Sequence, residues 1–316
     1  MTLKKRIDNL IGRLSDNHNF SFYSSVLRIF VCFYLAKDII LNSQFHVALF
    51  KGGDHLMQRE APWLGLLGIS NQLISDNIGV FNIIYLLLIV FLFFGVGKNF
   101  VALLLFFFLD ASQSLTSVIL NGGDNYLKFI LLYLVFMNSY EYFSISKQRF
   151  KSSEINKLNT FLSNLAGYSI CIHLCLIYFV SAMHKIHTDV WFNGVATYYT
   201  FSSERFGGTN TINQWMSKNG FIVTLTTYGT IIVELFYPVL VWFKETKLIF
   251  IFSAISLHLG IAIIMMLYDF QILFIVVQGM FISNEFWLSK IKVLKEKKWV
   301  QKLFNSKKET PVIPTE

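Results

Sequence analysis

A lysine at the end of a long apolar segment is the residue of this chain best placed to do chemistry. Residues 178–194 read YFVSAMHKIHTDVWFNG, so Lys185 stands between His184 and His187, with Trp191 close behind. An ionisable group at the end of a membrane-length helix is costly and is therefore a functional candidate. Apolar surroundings and nearby positive charge both favour a neutral amine, which acts as a base or nucleophile. The alternative is a lysine that extends its amine to the membrane interface.

Further ionisable residues lie within apolar segments. His258 stands beside Gly260 in SLHLGIAIIM, where a neighbouring helix can approach closely. The others are Arg28, Lys37, Asp38, Asp110, Asp124, His173 and Glu234. Such residues face the inside of a helix bundle, in pairs or around a wet cavity. We expect Arg28 to anchor Asp110 or Glu234.

The signatures of soluble enzymes do not occur in the sequence. There is no nucleotide-phosphate loop, no HExxH, no GxSxG and no metal-spaced set of Cys and His, so no metal site is predicted. Cys171 and Cys175 share one face of an apolar segment and are interpreted as packing residues. A quinone-linked oxidoreductase that uses these two thiols is a further alternative.

The elements that position these residues must be membrane helices. The chain has 316 residues, of which 54% are hydrophobic and only 15% are charged, whereas a soluble domain carries about 25% charged residues. The mean hydropathy is +0.53. The net charge of +8 is typical of cytoplasmic loops and tails, so nucleic acid is not expected as a partner.

The predicted fold class is an all-α polytopic membrane protein, a bundle of about eight transmembrane helices with two longer outward-facing loops. Stretches such as IIYLLLIVFLFF are continuously apolar, whereas barrel strands alternate. The predicted spans are 21–42, 79–97, 99–119, 126–145, 162–185, 220–243, 247–267 and 270–287. Tyr268 and Asp269 interrupt the last apolar run, so the final two spans can also be one bent element or a re-entrant pair.

The distribution of basic residues predicts the orientation. Lys and Arg lie mostly ahead of the first span, after the even-numbered spans and in the final segment. Cytoplasmic loops carry this excess, so both termini are predicted to be cytoplasmic and loops 43–78 and 187–219 to face outward. The domains are then a cytoplasmic N-terminal segment (1–20), one transmembrane domain (21–287) and a basic cytoplasmic tail (288–316).

The segment YFVSAMHKIHTDVWFNG resembles a signature of the HTTM superfamily, in which an apolar helix ends in Lys and is followed by Trp and Gly. This family groups the membrane domain of vitamin K-dependent gamma-carboxylases with shorter bacterial proteins. The match falls on Lys185, Trp191 and Gly194. SLHLGIAIIMMLYDFQILFI around His258 and LRIF at Leu27–Phe30 are similar to further family segments.

The chain is most similar to the SdpB type, bacterial membrane proteins associated with maturation or export of a secreted peptide toxin. VILNGGDNYLKFILLYL looks like their Gly-Gly-Asp segment, at Gly122, Gly123 and Asp124. The carboxylases have a histidine near the position of Asp124. After the membrane domain, the carboxylases also carry a large lumenal portion. At the corresponding place this chain has the segment 288–316. A carboxylase-like reaction is therefore kept as an alternative.

The resemblance implies the catalytic candidates Lys185, His258, Asp124 and His184, and the cofactor-binding candidates Trp191 and Gly194. In the carboxylases the matching lysine is the base that deprotonates vitamin K hydroquinone, so a quinone or vitamin K-like lipid is the implied cofactor.

The predicted function is assistance in maturation or export of a secreted peptide, in a bacterial inner membrane. The expected partners are lipid, a secreted peptide precursor and a companion maturation protein. The alternatives are a non-catalytic scaffold or transporter for a peptide or lipid, and a quinone-dependent carboxylase-like or oxidoreductase enzyme.

Overall fold

The computed structural model describes residues 3–51, 61–116 and 120–296, and within these ranges the backbone is helical, with no β-strand. The α-helices are α1 (Leu3–Asp16), α2 (Ser21–Lys51), α3 (Pro62–Leu66), α4 (Asn71–Asp76), α5 (Ile78–Phe94), α6 (Lys98–Leu115), α7 (Gly122–Phe136), α8 (Ser153–Ile186), α9 (Asp189–Phe192), α10 (Ala196–Ser202), α11 (Thr211–Lys218), α12 (Gly220–Leu240), α13 (Lys247–Met265), α14 (Tyr268–Val277) and α15 (Asn284–Glu296). Short 3-10 helices lie at Glu204–Phe206 and Gln278–Phe281. The predicted all-helical fold class is confirmed for this part of the chain.

Within the described ranges, four helices are long and apolar enough to cross a membrane: α6, α8, α12 and α13. A fifth candidate is the bent pair Tyr268–Phe281 and Asn284–Val293, whose two parts meet at 98°. Helix α5 is apolar but has only 17 residues. The chain thus has the helices of a multi-pass membrane protein, and the count of eight spans stays a prediction.

The fourth predicted span, 126–145, ends earlier than the hydropathy indicates. Helix α7 stops at Phe136, and residues 137–152 contain no helix. Met137 is already extended, with φ −87° and ψ 137°, and Phe143 has φ +53°. This irregular segment is held by hydrogen bonds from a neighbouring helix.

Arg28, on α2, makes those hydrogen bonds and is fully buried. Its Nε donates to the carbonyl oxygen of Ser139 at 3.0 Å, and its Nη2 donates to those of Tyr142 and Phe143 at 3.2 and 2.6 Å. A buried backbone carbonyl without a donor is costly. The guanidinium therefore supplies donors to carbonyl groups that no helix pairs.

The same guanidinium also satisfies the end of α5. Its Nη1 donates to the carbonyl oxygens of Leu92 and Phe93, both at 2.5 Å, and the last carbonyls of a helix have no partner within it. The expectation that Arg28 anchors Asp110 or Glu234 is therefore wrong. The guanidinium has five N–H donors, and backbone carbonyl groups accept from it.

The core lies between α2, α5, α6, α7, α8, α12, α13 and α14. The longest of these is α8, with 34 residues, about 50 Å at 1.5 Å per residue. It packs against α1, α7 and α12. Large tyrosines are completely enclosed in this core, among them Tyr126, Tyr140 and Tyr237.

The second predicted loop, 187–219, is folded rather than extended. It contains α9, α10 and α11, and it is fastened to the adjoining spans by side chains. Thr197 Oγ1 donates to the carbonyl oxygen of Val223 on α12 at 2.8 Å. Asn213 Nδ2 donates to that of Ile264 on α13 at 2.9 Å. In the first predicted loop, 43–78, α2 continues to Lys51, α3 and α4 follow, and residues 52–60 lie outside the described ranges.

Gly279 allows the 3-10 helix Gln278–Phe281 to lie directly on Tyr23 of α2. A Cβ atom at this position would lie 1.9 Å from Tyr23 Cζ. The tyrosine cannot easily retreat, because its hydroxyl donates to the carbonyl oxygen of Val276 at 2.6 Å. Its ring also stacks on Trp287 at a centroid distance of 5.0 Å.

We expect Gly279→Ala to lower the free energy of unfolding by about 1–3 kcal/mol, the usual cost of overpacking a core. Thermal unfolding of the purified protein in detergent measures this. The matched control is Gly229→Ala in α12, where an added Cβ meets nothing within 4 Å. Equal melting temperatures for the two variants would contradict the close contact.

Candidate functional site

Lys185 lies in the last turn of α8 and forms an ion pair with Glu234 of α12, in which its ammonium group contacts both carboxylate oxygens. Its Nζ donates to Glu234 Oε1 at 2.7 Å, to Glu234 Oε2 at 2.6 Å and to Ser181 Oγ at 2.6 Å. An ammonium group has three N–H donors, so all three are used. The side chains are 19% and 9% exposed, which makes this a largely buried pair.

The site depends on the packing of α8 against α12. Ser181 precedes Lys185 by one helical turn, so the two side chains lie on one face of α8. Glu234 is in the middle of α12, where it is 7% exposed. A carboxylate at that depth requires a partner, and the facing helix supplies one. The sequence marks Glu234 as ionisable at membrane depth but does not assign it to Lys185.

The aromatic residue of the sequence pattern covers the ammonium group. Trp191, on the short helix α9, places its ring centroid 5.2 Å from Lys185 Nζ, within the range of a cation–π interaction. Gly194 follows with φ +73°, and a Cβ atom there would lie 2.9 Å from Tyr228 Cε2. Tyr228 in turn donates to the carbonyl oxygen of Phe192 at 2.8 Å. Gly194 thus lets α9 lie against α12 and positions Trp191.

The two flanking histidines are not among the contacts of Lys185. His184 is exposed, and its carbonyl oxygen accepts from Thr188 Oγ1 at 2.8 Å. His187 Nδ1 lies 2.7 Å from the carbonyl oxygen of Met183. Adjacent residues of a helix point about 100° apart, so neighbours in sequence need not share a site.

His258 of α13 belongs to a buried chain of hydrogen bonds. Its Nδ1 faces Gln271 Oε1, and its Nε2 lies 2.7 Å from the Tyr178 hydroxyl. Gln278 Nε2 donates to that hydroxyl at 3.0 Å, and Gln278 Oε1 accepts from the Tyr237 hydroxyl. With an amide oxygen beside it, Nδ1 carries the proton and Nε2 accepts from Tyr178, which makes His258 a neutral imidazole.

The ion pair and this chain of hydrogen bonds are neighbours. Tyr178 and Lys185 are seven residues apart on α8, two helical turns on the same face. Glu234 and Tyr237 are three apart on α12 and also share a face. The charge of Lys185 lies near enough to act on the His258 ring, and the charge of Glu234 near enough to act on the Tyr178 hydroxyl. The structure therefore brings Lys185 and His258, two of the predicted residues, into one region.

Asp124 lies elsewhere. It is the third residue of α7 and closes a capping box, in which Asp124 Oδ2 accepts from the backbone N–H of Asn121 at 2.8 Å. The Asn121 side chain accepts from the N–H groups of Gly123 and Asp124. Asp124 also lines a polar cavity whose walls do not include Lys185.

The cysteine thiols are free. Cys171 and Cys175 are buried in α8 without a disulfide. Among the residues that the structure describes, no group of three or more His, Cys, Asp or Glu side chains could hold a metal ion.

The arrangement favours proton transfer to Glu234 over proton transfer to Lys185. An ammonium whose three N–H bonds are all engaged has no lone pair with which to accept a proton. A hydroxyl group that entered beside the pair could give its proton to the Glu234 carboxylate, and the ammonium would then stabilise the anion.

No protein-family model, no curated protein and no solved structure matches this chain.

Proposed function

We propose that this chain is an integral membrane protein of the HTTM/SdpB type that assists maturation or export of a secreted peptide, with Lys185 and Glu234 as its functional site. One observation carries the proposal. The lysine of the sequence pattern, the aromatic residue that follows it and a buried carboxylate converge at the end of α8. Ionisable groups at membrane depth are retained at functional sites.

In the proposed topology the chain crosses a bacterial inner membrane eight times with both termini in the cytoplasm. The segment 187–219, which contains α9, then lies on the outer side with Lys185. A peptide precursor and a companion maturation protein would meet the site from there. The proposal gains support from the folded state of this segment, because α9 and Gly194 position Trp191 over the ammonium group.

In the proposed reaction Glu234 accepts a proton from an acidic hydroxyl group, and Lys185 holds the resulting anion. The base is then Glu234, whereas the resemblance implies that Lys185 is the base. The reduced, hydroquinone form of a quinone-like lipid is a suitable source of the hydroxyl group, since it carries an acidic O–H on an otherwise apolar molecule.

The experiment compares the peptides that producing cells secrete, by mass spectrometry of the culture medium. We expect Lys185→Ala, Lys185→Arg and Glu234→Gln each to remove a secreted peptide that the unchanged protein yields. The loss should be at least about a hundredfold, the lower end of the usual contribution of a positioned acid or base. Immunoblots of membranes confirm equal amounts of protein.

The matched control is Lys128→Ala, which breaks a different partly buried lysine–carboxylate pair, Lys128 with Asp110 at 2.9 Å. It should leave the secreted peptides unchanged. An unaltered peptide profile for Lys185→Ala at equal membrane abundance would remove the proposal.

A second candidate is a non-catalytic scaffold or transporter, favoured by the complete use of the three ammonium donors within the protein. It predicts that the pair serves only to join α8 to α12. The exchanged variant Lys185→Glu with Glu234→Lys should then retain function, because the attraction survives the exchange. Catalysis at this site requires each group in its own place, so the exchanged variant should be inactive.

A further inference from the structure

A polar cavity of about 360 Å³ lies between α2, α6, α7 and the first turn of α14. Its size is at the lower end of the range for small-molecule sites. The charged and amide side chains in its walls include Lys37, Asp38, Gln113, Asn121, Asp124 and Asp269. The proposed function makes no use of this cavity.

The only lysine among the wall residues is already engaged. Lys37 Nζ lies 2.6 Å from Asp269 Oδ1 and 4.8 Å from the centroid of the Tyr34 ring. Asp38 accepts from Asn42 Nδ2 at 2.5 Å, and the donor that the described residues offer to the Asp124 carboxylate is the Asn121 N–H of its helix cap. No described lysine, arginine or histidine forms an ion pair with either carboxylate. Within the described ranges, the cavity thus contains two carboxylates without a cationic partner.

Gln113 adds an acceptor that lacks a donor. This residue is 6% exposed, and its Nε2 donates to the backbone carbonyl oxygen of Asp124 at 2.8 Å. A carbonyl group can only accept, so the amide nitrogen must face it, and the orientation of the amide follows. Its Oε1 is buried and accepts from no described residue. A buried acceptor without a donor is costly and rare in native proteins.

A donor with positive charge would complement these groups. The available groups are carboxylate and amide oxygens, which only accept hydrogen bonds. A metal ion is not favoured, because the described residues contain no group of three or more His, Cys, Asp or Glu side chains that could hold one. An ammonium or guanidinium group offers several N–H donors and a positive charge together.

We propose that this cavity binds an ammonium or guanidinium group, held by Asp38, Asp124 and the side-chain oxygen of Gln113. The group can belong to a small free amine or guanidine, or to a lysine or arginine side chain of a peptide. The chemistry of recognition is the same in both cases.

Isothermal titration calorimetry on the purified full-length protein in detergent tests the proposal, with the chloride salts of butylguanidinium, butylammonium and tetramethylammonium at constant ionic strength. We expect saturable binding of butylguanidinium, butylammonium or both. Tetramethylammonium has the charge but no N–H donor, so it should bind at least about tenfold more weakly, the worth of a charged hydrogen bond. Equal affinity for tetramethylammonium, or no saturable binding of any of these cations, would overturn the proposal.

Two variants assign the binding to the cavity. Asp38→Asn and Asp124→Asn should each weaken binding about tenfold or more. The asparagine oxygen at position 124 can still accept from the helix cap, so α7 should persist. Asp76→Asn, at an exposed position of α4, is the matched control and should leave the affinity unchanged. If Asp124→Asn does not fold, Asp38→Asn decides the matter, because its side chain takes no part in that cap. Unchanged affinity in the folded variants would contradict the assignment.

Binding of a blocked Gly-Arg-Gly peptide is compared with binding of the same peptide with citrulline in place of arginine, which has the same shape without the charge. Tight binding of the arginine peptide but not of the citrulline peptide indicates that the group belongs to a peptide side chain. Binding of butylguanidinium with exclusion of the arginine peptide indicates a free small molecule. Either result supports the proposed recognition, whereas equal binding of the two peptides would overturn it.

Discussion

Replacing Arg28 with Met is expected to prevent accumulation of the folded protein. The substitution removes the donor of hydrogen bonds to five backbone carbonyls, of which those of Leu92 and Ser139 are buried and the other three partly buried. A buried acceptor left alone costs about 1–3 kcal/mol, so the loss is a large fraction of the 5–15 kcal/mol by which proteins are typically stable. Size-exclusion chromatography of detergent extracts measures the folded yield, and thermal unfolding measures the stability of any product.

Two further variants separate hydrogen bonding from charge. Arg28→Lys keeps the charge but has three donors in place of five, so we expect a folded protein of intermediate stability. Arg13→Met removes an arginine from an exposed position of α1 and should be harmless. A normal yield for Arg28→Met would show that the carbonyl groups find other donors.

The second large effect concerns the stability of the Lys185–Glu234 pair, apart from any activity. Lys185→Met leaves a carboxylate that is 7% exposed without its cation. Glu234→Leu leaves the ammonium with Ser181 and the Trp191 ring. Breaking a buried pair from one side costs about 3–5 kcal/mol, so each single variant should unfold far more easily than the unchanged protein.

The double variant Lys185→Met with Glu234→Leu should regain most of that loss, because apolar residues of similar size can replace a buried pair at little cost. Equilibrium unfolding of all four proteins in mixed micelles completes the double-mutant cycle. Single variants within about 1 kcal/mol of the unchanged protein, the range of exposed pairs, would mean that water reaches the site. A stable double variant that yields no secreted peptide would separate function from stability.

The sequence predicts the helical fold because its signal is local. Continuous apolar runs mark most of the core helices, and ionisable residues within them mark Lys185 and His258 as candidates. It does not predict which helices are neighbours. The pairing of Lys185 with Glu234 depends on α8 packing against α12, and no periodicity within one helix contains that information.

The sequence fails to predict other features for a different physical reason. Arg28 is recognisable as a buried charge, but its acceptors are backbone carbonyl groups, which every residue has. The early end of α7 at Phe136 coincides with those hydrogen bonds and with the polar residues Asn138, Ser139 and Glu141 that follow it. The role of Asp124 as a helix cap is predictable from the sequence. Asn121 followed three residues later by an acidic residue is a helix-start pattern. This pattern accounts for an acidic residue at position 124 without a catalytic role.

The contacts of Arg28 also impose an order on the synthesis of the chain. Arg28 belongs to the first of the long helices, yet its most distant acceptor, at Phe143, comes 115 residues later. At ribosomal rates of about 5–20 residues per second, the arginine waits on the order of ten seconds for its last partner. In the proposed topology α2 is the first span, so its guanidinium has no backbone partners among lipids at first. We then expect α2 to be held at the insertion machinery, or at a wet boundary, until α5 and the segment after α7 have been made.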